Sequence, residues 1–318
     1  MNICAAGPPQ GANSAPSGGS AAAQPQAWGS RICVAAPSHG ANSAPSGRSA
    51  AAQPHAWGGH VQLRVEHVRK AFGGVVAIDD VTFDVRSGIV QSIIGPNGAG
   101  KTTLVNLLSG VYRATRGRIV FGSRDLTRAP AHAFGAAGIA RTFQTPQVFA
   151  NMSVAENVMT GAHRLGSPRL LSTLVHGPSL GRAERASRER ALDLLRLLGL
   201  AAFADASPGA LSYGAQKRLE IARALAAEPA LLLLDEPAAG LDASEAREIE
   251  RVIRELADRG IAIVLVEHDM RLVMDVSDRI LVLDYGKRLC EGTAHEVRND
   301  ARVIEAYLGV KDEHARDH

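Results

Sequence analysis

The chain has 318 residues, 46% hydrophobic and 21% charged, the composition of a globular protein with one large domain or two small ones. A net charge of +3 is too small to point to a nucleic acid as the main partner. No run reaches the ~18 apolar residues that a membrane span needs, so any work at a membrane goes through another subunit.

The segment from Ile3 to Arg31 is repeated from Ile32 to His60, with roughly 21 of 29 positions identical. Both copies are dominated by Ala, Gly, Pro, Ser and Gln, and Arg31 and Arg48 supply their only full charges. Residues 1–60 therefore read as a disordered tail, too poor in apolar runs to offset the entropy of ordering. It is not a convincing signal peptide, because no Lys or Arg precedes a continuous apolar region. The expected reading is a non-functional extension, of the kind produced when an upstream repeat is translated from a misplaced start codon. The alternative is an interaction tail that uses Trp28 and Trp57. Cys4 and Cys33 lie in this tail and Cys290 lies near the other end, forming neither a metal set nor a disulfide framework, which fits a reducing cytoplasm.

From Val61 the texture changes. Val61, Leu63 and Val65 alternate with polar residues, as do Val81, Phe83 and Val85, which predicts two half-buried strands. Ile89 to Ile94 predicts a buried strand running into glycine and then a helix. Further apolar runs at Leu231–Leu234, Ile261–Val266 and Ile280–Leu283 alternate with helical patterns such as Ser244–Arg259, the order of an α/β core with a largely parallel sheet. Between them, Ser153–Ala162, Arg182–Leu198 and Ser212–Ala227 are helical in pattern, giving a helical subdomain at about residues 146–228. Pro168, Gly177, Pro178 and Gly181 are expected to break its first half into a loop-rich insertion.

Gly95-Pro96-Asn97-Gly98-Ala99-Gly100-Lys101-Thr102-Thr103 matches the P-loop pattern between a strand and a helix. Its glycines turn successive N–H groups toward phosphates, and the following helix adds its positive end. Lys101 is expected at the β- and γ-phosphates and the Thr102 hydroxyl on Mg²⁺. Leu231-Leu232-Leu233-Leu234-Asp235-Glu236-Pro237 reads as a buried strand that delivers Asp235 to the metal and Glu236 to the attacking water as general base. A P-loop alone implies only a nucleoside triphosphate.

Leu211-Ser212-Tyr213-Gly214 lies between these two motifs and resembles the signature of ATP-binding cassette proteins. That resemblance implies a P-loop NTPase fold: a RecA-like core of mainly parallel sheet, an antiparallel β subdomain and an α-helical signature subdomain, within residues 61–310. It implies ATP and Mg²⁺ as ligands, with Thr102, Gln144 and Asp235 around the metal. It makes His268 the switch histidine at the γ-phosphate, Gln144 the sensor of metal and water, and Phe72 the ring stacked on adenine, an ordinary core phenylalanine being the alternative. Ala239-Gly240-Leu241-Asp242 resembles the loop along the dimer seam, with Asp242 its candidate for communication between sites. Ser212 and Gly214, ahead of a helix, read as a second anion cradle with open N–H groups. A head-to-tail dimer closes each cradle over its partner's ATP, and closure and release drive a hinge motion.

Thr142-Phe143-Gln144, an insertion at Gly161–Arg182, Arg218-Leu219-Glu220-Ile221-Ala222-Arg223, Glu267-His268-Asp269-Met270 and Ala306-Tyr307-Leu308-Gly309 narrow the resemblance to the ATPase subunits of branched-chain amino acid importers, the LivG type. It implies a peripheral subunit on the cytoplasmic face of the inner membrane, bound to two permease subunits. A solute-binding protein in the periplasm feeds these permeases. The second cassette ATPase is usually a related, shorter chain, with a homodimer left open. No nucleic acid is expected, and residues 311–318 form a charged tail. Ala215 departs from the widespread signature, where glutamine stands, and is expected to remove a polar side chain from the face shared with the partner. Urea, amide or other amino acid importers are neighbouring readings. Lipopolysaccharide export shares the Tyr213 type of signature, but the insertion and the Ala-Tyr-Leu-Gly ending argue against it. A soluble cassette protein would favour paired cassettes or a coiled-coil insertion.

Overall fold

The computed structural model describes residues 60–162 and 178–308. The repeated tail up to residue 59, residues 163–177 of the insertion and the charged tail lie outside the described residues.

The first two predicted strands extend into a long antiparallel hairpin, β1 (Val61–Phe72) and β2 (Val75–Arg86). With β4 (Arg116–Phe121) and β5 (Arg124–Asp125) they form a sheet in the order β2-β1-β4-β5. Alternation places Leu63 and Val65, and Val81, Phe83 and Val85, in the core, and an irregularity in the pairing at Asp80 (φ 58°) brings Ile78 to the same core three residues before Val81.

The second sheet contains β3 (Val90–Ile94), β6 (Ile139–Arg141), β7 (Leu231–Asp235), β8 (Ala262–Val266), β9 (Arg279–Asp284) and β10 (Lys287–Gly292), in the order β10-β9-β3-β8-β7-β6. All neighbours are parallel except β10, which pairs antiparallel with β9. Every residue of β3, β7 and β8 is buried, as expected for strands covered on both faces. Period-2 alternation splits β7 and β8 between two cores. Leu232, Leu234, Ile263 and Leu265 join the core that also contains the helical layer, whereas Leu231, Leu233, Val264 and Val266 join the core under the antiparallel sheet.

Register decides where chemistry can assemble. Ile93 and Asp235 both pair with Val266, so β3, β7 and β8 end nearly level. The segments that follow them emerge along one edge, at the carboxyl ends of parallel strands, where open α/β sheets bind ligands.

The helices are α1 (Lys101–Leu108), α2 (Ala131–Ala137), α3 (Val154–Gly161), α4 (Pro178–Leu197), α5 (Tyr213–Leu225), α6 (Ala243–Asp258), α7 (Met270–Val276), α8 (Ala294–Asn299) and α9 (Ala301–Leu308). Ser153 and Glu156 form a capping box that starts α3. Val154, Val158, Leu194, Leu195, Leu219 and Leu225 bring α3, α4 and α5 into one core. The insertion's expected breakers do not all act as breakers. Pro178 opens α4 and Gly181 lies inside it, because proline at a first helical position has no intrahelical N–H bond to lose. Among the described residues, no helix is long and apolar enough to cross a membrane.

Candidate active site

The P-loop runs from the end of β3 into α1. Gly95 has φ 153°, and a Cβ there would fall 2.2 Å from the Leu283 carbonyl oxygen, so only glycine fits. Asn97, Gly98 and Thr102 are exposed, Ala99 is buried, and Pro96, Gly100 and Thr103 are intermediate. Gly100 caps α1 without a side-chain hydrogen bond, which leaves the helix's first N–H groups to another acceptor. The Lys101 ammonium donates to the carbonyls of Gly95 (2.6 Å) and Pro96 (3.0 Å), folding back on its own loop. Burial pushes the Lys101 pKa down, against the attraction of Glu236.

Beside this loop, β7 ends at Asp235, and Glu236 follows it directly. Arg141, the last residue of β6, donates to Asp235 Oδ2 at 2.9 Å, and both side chains are only 11% exposed. Its other terminal nitrogen reaches Asn106 Oδ1 (2.6 Å) and Ser109 Oγ (3.0 Å) at the end of α1, so one guanidinium ties the acidic strand end to the P-loop helix. Glu236 has a left-handed backbone, φ 48°, and its N–H donates to Val266 O at 2.8 Å. Its Oε2 accepts from Gln144 Nε2 at 2.6 Å and lies 3.9 Å from Nδ1 of the exposed His268. Gln144, Glu236 and His268 therefore meet at the sheet edge. Glu267 sits beneath them, buried, and accepts the N–H groups of Ala238 (2.8 Å) and His268 (3.1 Å). Burial raises its pKa in spite of these bonds.

Helix α5 holds the segment that carries Gln144. Buried Glu220 accepts the Phe143 N–H at 3.2 Å, and Arg223 donates to the Gln147 carbonyl. Lys217, one turn earlier, donates to the main-chain carbonyls of Gln144 (3.2 Å) and Glu236 (2.7 Å). Sequence reading missed the site contacts of Arg141, Lys217, Glu220 and Glu267. A signal existed for two of them: Lys217 and Glu220 are charged residues three apart on a helix whose neighbouring Leu219, Ile221 and Ala222 are apolar.

The signature segment differs from expectation in three ways. Gly214 does not precede the helix; α5 starts at Tyr213 and Gly214 is buried in its first turn. Ser212 caps that helix, its Oγ accepting the Ala215 N–H at 3.2 Å and donating to Glu245 Oε1 at 2.8 Å. A Cβ on Gly214 would lie 2.6 Å from the Glu245 carboxyl carbon, so a carboxylate of this same chain rests in the cradle. Ala215 is 6% exposed and packs in the helical core, so its side chain faces inward rather than toward a partner. Phe72 is not a core residue. It is 42% exposed at the end of β1, edge-on to Tyr112 at 5.1 Å, with the Lys70 ammonium 4.6 Å from its ring centre. Asp242 caps α6, accepting the N–H groups of Ser244 (2.7 Å) and Glu245 (2.9 Å).

A phosphate-binding loop at the carboxyl end of a parallel sheet, with an acidic strand end and a capped signature helix beside it, defines an ATP-binding cassette. The family model described as ABC transporter matches residues 78–239, and the one described as branched-chain amino acid ATP-binding cassette transporter matches residues 287–313. The chain belongs to the ABC transporter family and is one of its nucleotide-binding ATPase subunits. It is 42% identical over 248 residues to the high-affinity branched-chain amino acid transport ATP-binding protein LivG of Salmonella typhimurium, covering 78% of this chain and 97% of that protein. A crystal structure of the ADP conformation of an ATP-binding cassette of an ABC transporter superposes with a TM-score of 0.68 at 35% identity, over 79% of this chain and 99% of that one. A dimeric structure of a post-hydrolysis state of a cassette bound to ADP and Pi superposes with a TM-score of 0.61 at 26% identity, over 73% of this chain and 98% of that one.

Proposed function

We propose that this chain hydrolyses ATP to power an importer of branched-chain or related hydrophobic amino acids. It works at the cytoplasmic face of the plasma membrane on two permease subunits, beside a second cassette, with a periplasmic binding protein delivering the solute. Residues 61–310 are its ATPase domain and about 146–228 the helical subdomain. The transport reading is supported by the 42% identity to a LivG protein together with the family match at residues 287–313.

The hydrolytic reading is carried by the 2.6 Å contact between Gln144 and Glu236 at the sheet edge beside the P-loop. Gly95 to Thr103 hold the phosphates, and Phe72 offers its exposed face to adenine. Lys101 exchanges its two neutral carbonyl partners for anionic phosphate oxygens, with which both donor and acceptor are charged and the bonds are stronger. Thr102, Asp235 and Gln144 all offer oxygen, the donor set that a hard cation takes, and Arg141 fixes the orientation of the Asp235 carboxylate. Bound Mg²⁺ neutralises charge on the phosphate oxygens. Glu236 takes the proton of the attacking water, Gln144 holds that carboxylate and the water, and His268 presents its ring to the γ-phosphate. Ser212 and the N-terminus of α5 face the partner's nucleotide, with Glu245 withdrawing as its γ-phosphate arrives.

Glu236→Gln keeps the shape but cannot act as a base. Turnover should fall by ~10²- to 10⁴-fold with ATP affinity retained and an ATP-bound dimer trapped. Unchanged hydrolysis would remove Glu236 from this role.

A further inference from the structure

Lys217 is a lysine on a signature helix, yet it faces inward and is 4% exposed. Burying an ammonium is costly unless it is hydrogen-bonded and compensated. Burial pushes its pKa below the usual lysine value, and the negative charges of Glu267, Glu220, Glu236 and Asp235 act in the opposite direction. Its two hydrogen bonds go to main-chain carbonyls, those of Glu236 at 2.7 Å and Gln144 at 3.2 Å. These belong to the two residues whose side chains meet at 2.6 Å. One of the two, Glu236, is a non-glycine residue at φ 48°, a conformation that persists only when surrounding groups impose it. On one side, the Val266 carbonyl holds its N–H at 2.8 Å. On the other, Lys217 holds its carbonyl.

We propose that Lys217 is a positioning residue for ATP hydrolysis, clamping the backbones of Gln144 and Glu236 so that the amide and the base stay in register and linking that pair to the signature helix. The proposal rests on the assignment of Glu236 as the base. It adds a route between half-sites. Ser212, at the start of α5, faces the partner's nucleotide, and Lys217 lies five residues further along the same helix. A rotation of α5 as the cradle engages therefore moves the carbonyl of Glu236 in this chain's own site.

The test uses the complete transporter, with kcat, KM and nucleotide Kd measured for each variant. Lys217→Met keeps the apolar stem and removes all donors. It should lower kcat by ~10- to 100-fold, the cost of misplacing reacting groups by about 1 Å, while Kd stays within a factor of ~3. Lys217→Gln retains a neutral amide NH₂ as donor, should lower kcat less, and keeps the test open if the methionine variant does not fold. Because Lys217 acts through the pair, its loss and that of Gln144 should be strongly non-additive in Lys217→Met/Gln144→Ala. Wild-type kcat in either folded Lys217 variant, equal losses in kcat and affinity, or additive losses in the double variant would overturn the clamp. Glu236→Gln, run alongside, separates the two readings: full turnover there removes the base assignment, whereas a dead Glu236→Gln with a fully active Lys217→Met removes the clamp alone.

Discussion

Arg141 and Asp235 show how much of this site depends on single buried charges. Each side chain is 11% exposed, and the guanidinium also holds Asn106 and Ser109. Removing one partner from a buried ion pair leaves the other charge uncompensated, which typically costs ~3–5 kcal/mol. Arg141→Ala should therefore lower unfolding free energy by that amount in a denaturant titration, and a loss under ~1 kcal/mol would show the pair to be solvent-compensated. Lys101→Ala is a contrasting case. Its hydrogen bonds are to its own loop, so the fold should survive while nucleotide affinity drops by at least ~10-fold in a fluorescent-nucleotide titration. Unaltered affinity would take Lys101 away from the phosphates. The two residues also differ in legibility. Lys101 stands at a fixed place in a contiguous motif, so its expected role could be read from spacing. Arg141 gains its meaning from Asp235, 94 residues away, through a strand pairing that no local pattern encodes.

At the scale of the element, α5 organises the site more than its family signature suggests. It carries Ser212 at its cap, Lys217 under the Gln144–Glu236 pair, and Glu220 and Arg223 against the segment after β6. The helical period of α5 was legible, but which face of it turns inward was not. That is why Ala215 reads from sequence as a lost polar contact and in the fold as a core residue. The neighbouring α3 depends on Asn157, fully buried, whose amide spans the preceding loop. It accepts the Phe149 N–H at 2.8 Å and donates to the carbonyls of Phe149 (3.0 Å) and Ser153 (2.9 Å). Asn157→Ala strands these buried groups, and each costs ~1–3 kcal/mol when left unpaired. Thermal unfolding should show a loss of at least ~2 kcal/mol, and a wild-type midpoint would mean that water replaces the amide. Glu245 supplies a further check on the signature. Glu245→Ala frees Ser212 from a competing carboxylate, so the ATP concentration needed for cassette pairing should fall, as read by light scattering. A higher requirement would mean that Glu245 supports the cradle rather than blocks it.

Across the whole molecule, alternating strands and helices made the α/β class and the parallel sheet legible, but not the strand order β10-β9-β3-β8-β7-β6. That order places β7 next to β8, and β8 next to β3, so that Gly95, Glu236 and His268 leave the sheet on one edge. On the proposed function, the P-loop and the signature helix of this chain belong to two separate half-sites, and hydrolysis needs a partner to close each. The direct test is ATP turnover per chain, measured for the isolated subunit and for the complex in which it co-purifies with a second cassette and permeases. Turnover should be very slow alone and rise at least ~10-fold on assembly, because the groups that stabilise transferring phosphate are then completed in trans. Full turnover by the monomer, unchanged on assembly, would contradict it.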